Sequence, residues 1–232
     1  MKKIDFHVHI NNRIPIDDTV KYFNDMCKRF GYCGVGIMSI IAGSSYGDDP
    51  GCNDRALKLK RLIPGSFAFA ALDHKRDFIN QTREYMLSGF DGIKILEGKP
   101  SVYRYYGLDC ERFDRFFEYA QKEQIPIMLH NCDPEQNWDI SRADERAKKM
   151  GWYYDESMPR QKYFYQVFEK ILCKYPNLRI AAAHMGFYAN RLDIASRLLE
   201  NCIWISRRHL LYTLSSQIIK MLRNFSESIR TG

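Results

Sequence analysis

Lys3-Ile4-Asp5-Phe6-His7-Val8-His9 opens the chain with a strand-like run that closes on two histidines. Side chains two apart on a strand point to the same face, so His7 and His9 converge while Val8 turns away. Asp5 shares their face one step deeper, where a carboxylate is able to hydrogen-bond an imidazole and fix its tautomer. Outward from this run, short apolar stretches alternate with helix-like segments. Strands are predicted at residues 35–41, 67–72, 92–96, 125–130, 179–183 and, with the weakest pattern, 202–205. Helices are predicted over 17–30, 53–62, 77–87, 111–123, 161–174 and 189–200. The first helix follows an Asp cap signal and places Val20, Phe23, Met26 and Cys27 on one face. Gly31, Pro64, Gly89 and Pro176 stand where these helices must stop.

Strands that alternate with helices, with no second composition regime and no low-complexity linker, predict a single α/β domain over residues 1–232. The expected architecture is a (β/α)8 TIM barrel, with a doubly wound open sheet as the competing arrangement. The pattern runs out before an eighth strand, so the barrel is expected to be incomplete at its C-terminal end. Two connections are long: residues 42–52, and residues 131–160 with Trp138, Trp152, Tyr153 and Tyr154. Both follow strands, and in a barrel both lie over the rim where pockets are built.

Composition narrows the function classes. The chain has 232 residues, 45% hydrophobic and 27% charged, a globular rather than a disordered mix. No apolar run approaches the length of a membrane span, and no secretory leader is visible, so no membrane partner and a cytoplasmic location are expected. Seven cysteines without a C-x-x-C pair fit free thiols in a reducing compartment. The net charge of +7 invites a nucleic-acid reading, but residues 201–232 carry five basic residues against Glu227 alone. That leaves an ordinary balance for the rest, and no nucleic-acid partner is expected.

Of six histidines, four close predicted strands: His7, His9, His130 and His184. His130 or His184 taken singly reads as a core or loop histidine. Four at the carboxyl ends of three strands reverse that preference, because a barrel builds its active site at those ends. Neutral imidazoles converging on one centre suit a divalent ion, zinc first, with manganese or iron as alternatives. Lys94 sits between Ile93 and Ile95, which turns it inward. A buried lysine is costly unless it is paired or used chemically. The candidate roles are an ion pair with Asp5 or Glu97, the binding of a substrate carboxylate, and carbamylation between two metals.

Asp5-Phe6-His7-Val8-His9, Gly92-Ile93-Lys94, Leu129-His130 and Ala183-His184-Met185-Gly186 together resemble the amidohydrolase superfamily, most of all its amidohydrolase-related, decarboxylase-like branch. The resemblance covers roughly residues 1–200. It implies a TIM-barrel enzyme with one divalent metal held by His7, His9 and His130. His184 is then a further ligand or the acid/base group. In binuclear members a carbamylated Lys94 bridges the metals, with His130 and His184 on the second; the decarboxylase-like branch favours one metal and a lysine that is no ligand. A barrel nuclease of the TatD type also opens with His-x-His, but it carries Glu where this chain has Lys94.

The superfamily's eighth strand ends in an Asp that touches the metal and takes a proton from water. After Asp193 this chain has no Asp, and only Glu200 and Glu227 follow as acids. Three explanations compete: a truncated or frame-altered chain, a divergent three- or four-His site, and a partner subunit that completes the barrel. His209 is the one tail residue suited to a metal, beside the basic Arg207 and Arg208.

The expected function is metal-dependent hydrolysis of a small amide, ester or lactone by a metal-activated water. His184 and Lys94 are the catalytic candidates. Non-oxidative decarboxylation of an aromatic or unsaturated acid is the alternative, and an inactive or truncated fragment is the alternative of another class. The expected partner is a small-molecule substrate, with a homo-oligomer possible. Smaller candidates are His74, Cys132 and the run Tyr103, Arg104, Tyr105, Tyr106, each with an ordinary packing or surface role as its competitor.

Overall fold

The computed structural model describes residues 3–10, 14–40, 52–103, 107–184, 186–187 and 203–205. They belong to two compact units, with the division falling between Lys94 and Ile95. The first unit runs β1 (Lys3–His9), α1 (Ile16–Phe30), β2 (Tyr32–Met38), α2 (Cys52–Leu62), β3 (Phe67–Ala71), α3 (Phe78–Ser88) and the start of β4 (Gly92–Ile95). These strands pair in chain order and all in parallel, with Asp5 opposite Val35, Ile37 opposite Ala68 and Ala71 opposite Lys94.

From Gly34 to Met38 every residue of β2 is buried, the near-continuous apolar run of a parallel strand covered on both faces. Gly36 is required there, because a Cβ at that position would lie 2.6 Å from the Phe6 carbonyl oxygen of β1. The strand begins at Tyr32, three residues before its expected start. Gly31 explains the shift: at φ 67° it ends α1, donates its N–H to the Cys27 carbonyl, and turns the chain straight into the sheet. The Asp cap expected for α1 is absent. Pro15 occupies the N-cap without a side-chain bond, while Asp17 and Asp18 lie in the first turn, facing the positive end of the helix dipole. Phe23 is buried as expected; Val20, Met26 and Cys27 are half-buried.

Polar side chains complete the ladder where strands end. The Asn53 amide accepts from the Ala71 N–H (2.9 Å) and donates to the Ala71 carbonyl (3.0 Å). Asp91 accepts from the Ala68 N–H and pairs with Lys60, each at 2.8 Å. Burial pushes the Asp91 carboxyl up, and Lys60 offsets this only in part. Asp77 caps α3 by accepting from the Asn80 N–H.

The second unit holds α4 (Pro100–Tyr103), α5 (Glu111–Lys122), β5 (Ile127–Leu129), a 3-10 turn (Glu135–Trp138), α6 (Glu145–Met150), α7 (Gln161–Lys174), β6 (Ile180–Ala183) and β7 (Ile203–Ile205). Its strands are again parallel, with Ile127 opposite Ile180 and Ala181 opposite Ile203. Helix α5 buries Phe113, Phe116, Phe117 and Ala120 completely. Each phenylalanine contributes on the order of 1.5–3 kcal/mol from area removed from water. The long connection after β5 is folded rather than open. Its α6 is capped by Asp144, which accepts from the Ala147 N–H at 2.7 Å, and Ala143, Ala147 and Trp152 form a small core of their own. The predicted helix at 189–200 and everything beyond Ile205, including the place where an eighth strand was expected to be missing, lie outside the described residues. No helix among the described residues is long and apolar enough to cross a membrane.

Candidate metal centre

In the first unit, the period of β1 buries Ile4 and Phe6 on one face and leaves His7 and His9 half-buried. Their rings lie 4.7 Å apart at 72°. Lys94, on β4, is 2% exposed, and its Nζ stands 3.3 Å from His7 Nε2. This contact occupies His7 Nε2, whichever of the two groups supplies the proton. Asp5 accepts from the backbone N–H of His7 at 3.4 Å.

In the second unit, His130 follows β5 and is tied by its N–H to the Ile95 carbonyl at 2.9 Å. His184 follows β6 at φ 57°, a left-handed conformation uncommon for a residue with a side chain, which turns the chain sharply off the strand. The two rings are 5.2 Å apart at 77°, and the Phe187 ring lies 5.7 Å from the first and 5.4 Å from the second. Phe187 also has a positive φ, and its carbonyl accepts from the Tyr165 hydroxyl at 2.8 Å.

Beside His130 stands a buried charge cluster that the sequence did not single out. Asp133 accepts from Lys99 Nζ at 2.7 Å on both oxygens. The Tyr154 hydroxyl donates to its Oδ2, and its Oδ1 is 3.2 Å from His130 Nε2. The side chains of Lys99 and Asp133 are 2% and 4% exposed, and the Lys99 ammonium lies 4.1 Å from the centre of the Trp152 ring. Burial works to raise the Asp133 carboxyl, but the Lys99 charge and the His130 hydrogen bond more than offset it, holding it below the usual carboxylate range. Burial and the neighbouring Asp133 push the Tyr154 phenol up, which keeps it a donor. Lys99 and Asp133 are ordinary polar residues of loops in the sequence, and only their burial marks them. Asn131 was missed for the same reason. It is fully buried, its amide nitrogen and oxygen make no hydrogen bond, and it lines a small cavity with Glu97, Gly98, Tyr103 and Tyr163.

The structure thus brings His7 together with His9 and Lys94, and His130 together with His184 and Asp133. Among the described residues, no group of three or more His, Cys, Asp or Glu is arranged to hold a metal ion. The donor chemistry of the two imidazole pairs nonetheless suits a borderline divalent cation. His74 is half-buried against Phe78, with ring centres 5.8 Å apart. Burial raises the Cys132 thiol well above its ordinary value, so it is an inert packing group. Tyr103 packs edge-on against Tyr163 and Phe164, its hydroxyl 3.0 Å from that of Tyr163. Arg104, Tyr105, Tyr106 and His209 lie outside the described residues.

No family model and no curated protein matches the sequence. Solved structures do match. An amidohydrolase II is similar over 97% of this chain and 83% of its own, at 14% identity and TM-score 0.57. A TIM-barrel protein from Bordetella bronchiseptica is similar over 100% of this chain and 92% of its own, at 13% identity and TM-score 0.57. A dihydroxybenzoic acid decarboxylase from Polaromonas, with bound manganese and the inhibitor 2-nitroresorcinol, is similar over 88% of this chain and 77% of its own, at 16% identity and TM-score 0.51. At these identities the likeness establishes the fold. The chain has the fold of a TIM barrel, as the alternation of strands and helices led us to expect.

Proposed function

We propose that the chain is a metal-dependent hydrolase of the amidohydrolase type, acting on a small carbonyl-containing substrate such as an amide, ester or lactone. The observation that carries this reading is the pairing of imidazoles, His7 with His9 and His130 with His184, at the carboxyl ends of strands in a fold that builds its active sites there. His7, His9 and His130 are the proposed ligands of one divalent ion, with zinc first and manganese or iron as alternatives, and His184 is a fourth ligand or the acid/base group. When bound, such an ion polarises a carbonyl and lowers the pKa of water toward ~7.

The remaining roles follow from the side chains. His7 offers Nε2 to a cation only when Lys94 gives that nitrogen up, and the released ammonium is then a buried point charge suited to a substrate carboxylate. Asp133 does not stand in for the strand-eight Asp of the superfamily, because both its oxygens are already engaged by Lys99, Tyr154 and His130. His184 is therefore the group assigned to orient water or protonate a leaving group.

Non-oxidative decarboxylation is the second reading, favoured by the buried Lys94 cation and by the decarboxylase among the structural matches. A fragment without activity is the third. A small-molecule substrate is the proposed partner, with neither nucleic acid nor membrane, in a monomer or homo-oligomer. The test is a panel of lactones, amides and hydroxybenzoates assayed after loading with zinc or manganese, beside His9→Asn. Hydrolysis lost in the variant supports the reading; carbon dioxide release without hydrolysis replaces it with the second. Failure to bind zinc, manganese or iron on titration replaces it with the third.

A further inference from the structure

Asp133 has four acceptor positions on its two oxygens, and the neighbours around it fill them with donors: Lys99 on both, Tyr154 on one, His130 on the other. An ionised carboxylate accepts only, so the His130 nitrogen that faces it must carry a proton. That nitrogen is Nε2, which leaves Nδ1 as the single lone pair of the ring. The backbone tie from His130 to Ile95 and the proximity of the Phe187 ring restrict the side chain further. Asp133 is anchored on its backbone side as well: its carbonyl accepts from Gln161 Nε2 at 2.9 Å, and Lys99 is buried beneath Trp152. Tyr154 and Trp152 both belong to the long segment after β5, so the fold of that segment is built around the carboxylate.

We propose that Asp133 is a positioning residue that, held by Lys99 and Tyr154, locks His130 in the Nε2-protonated tautomer and leaves Nδ1 as its only metal-donating nitrogen. The role of His130 as a ligand rests on the function proposed above; the tautomer lock does not. The carboxylate works through the histidine and touches neither metal nor substrate. Outer partners of this kind typically set metal affinity by about 10–100-fold.

The test uses the full chain without metal. Side-chain nitrogen NMR, with the His130 signals assigned from His130→Gln, reads the tautomer directly, and a chelator competition reads zinc affinity. The wild type should show one His130 tautomer, protonated at Nε2. Lys99→Met combined with Asp133→Leu removes the buried pair as a unit and should populate both tautomers and weaken zinc by about 10–100-fold. Asp133→Glu, which keeps the acceptor and the charge, should restore most of the affinity. A wild-type His130 protonated at Nδ1 overturns the proposal, and so does a double variant that keeps the single tautomer. The wild-type spectrum decides even where the double variant does not fold. A protein with the expected tautomer that binds no zinc overturns the metal-enzyme reading and leaves the positioning role standing.

Discussion

Lys99→Met cuts the buried ion pair and leaves its partner in place. Lys99 and Asp133 are almost wholly excluded from water, and the ammonium reaches both carboxylate oxygens at 2.7 Å. Removing one member of such a pair costs about 3–5 kcal/mol, because the remaining charge stays buried without its counter-ion. Two effects place the expected loss near the lower end, about 3 kcal/mol. Tyr154 and His130 still donate to Asp133, each such charged hydrogen bond being worth roughly 1.5–3 kcal/mol. The methionine thioether also keeps a favourable contact with the Trp152 ring.

The pH dependence has a definite sign. In the wild type the Asp133 carboxyl is held low, so its stabilisation is complete above the unfolded value of about 3.9 and is lost as pH falls towards its lower folded value. In the variant the unpaired carboxylate is relieved by protonation, so the difference between the two proteins should widen as pH rises. Urea denaturation followed by far-UV circular dichroism and tryptophan fluorescence at two pH values measures both quantities. A loss under about 1 kcal/mol refutes the buried pair as drawn.

The remaining predictions concern packing and one unpartnered amide. Phe117→Ala removes a fully buried ring stacked 5.8 Å from Phe113 and tilted 6.0 Å from Tyr175, and should lower stability by about 3–5 kcal/mol in the same urea assay. Gly36→Ala sets a Cβ 2.6 Å from the Phe6 carbonyl oxygen and should cost about 1–3 kcal/mol as β1 and β2 are forced apart, read as a fall in thermal midpoint. Asn131→Leu replaces a buried amide that makes no hydrogen bond, so stability should hold or rise by up to about 1–3 kcal/mol. If Asn131 serves the site, turnover on the substrate panel should fall in that same variant, and a large loss of stability would show that the amide is structural.

Sequence alone determined the class of fold and the candidates for chemistry. Period-two runs such as Lys3–His9, and helices punctuated by Gly31 and Gly89, are local signals that backbone sterics and side-chain burial enforce wherever they occur. The strand-end histidines were legible for the same reason, because alternation along a strand decides which side chains share a face. Boundaries were less legible. Tyr32 joins β2 because the left-handed turn at Gly31 feeds the sheet directly, and α1 starts after Pro15 without the expected Asp cap. Asp133 and Lys99 carried no sequence signal, since each is a common residue in a loop, and Tyr154 stood out only as one aromatic of the long segment after β5. Tertiary structure alone buried them together, and burial is what turns an ordinary Lys–Asp contact into a fixed charge pair beside His130. The same holds for Lys94: alternation predicted that it turns inward, but only the parallel pairing of the strands in the first unit set its ammonium against His7. Sequence periodicity specifies direction, and the folded chain specifies distance, which is what decides the chemistry.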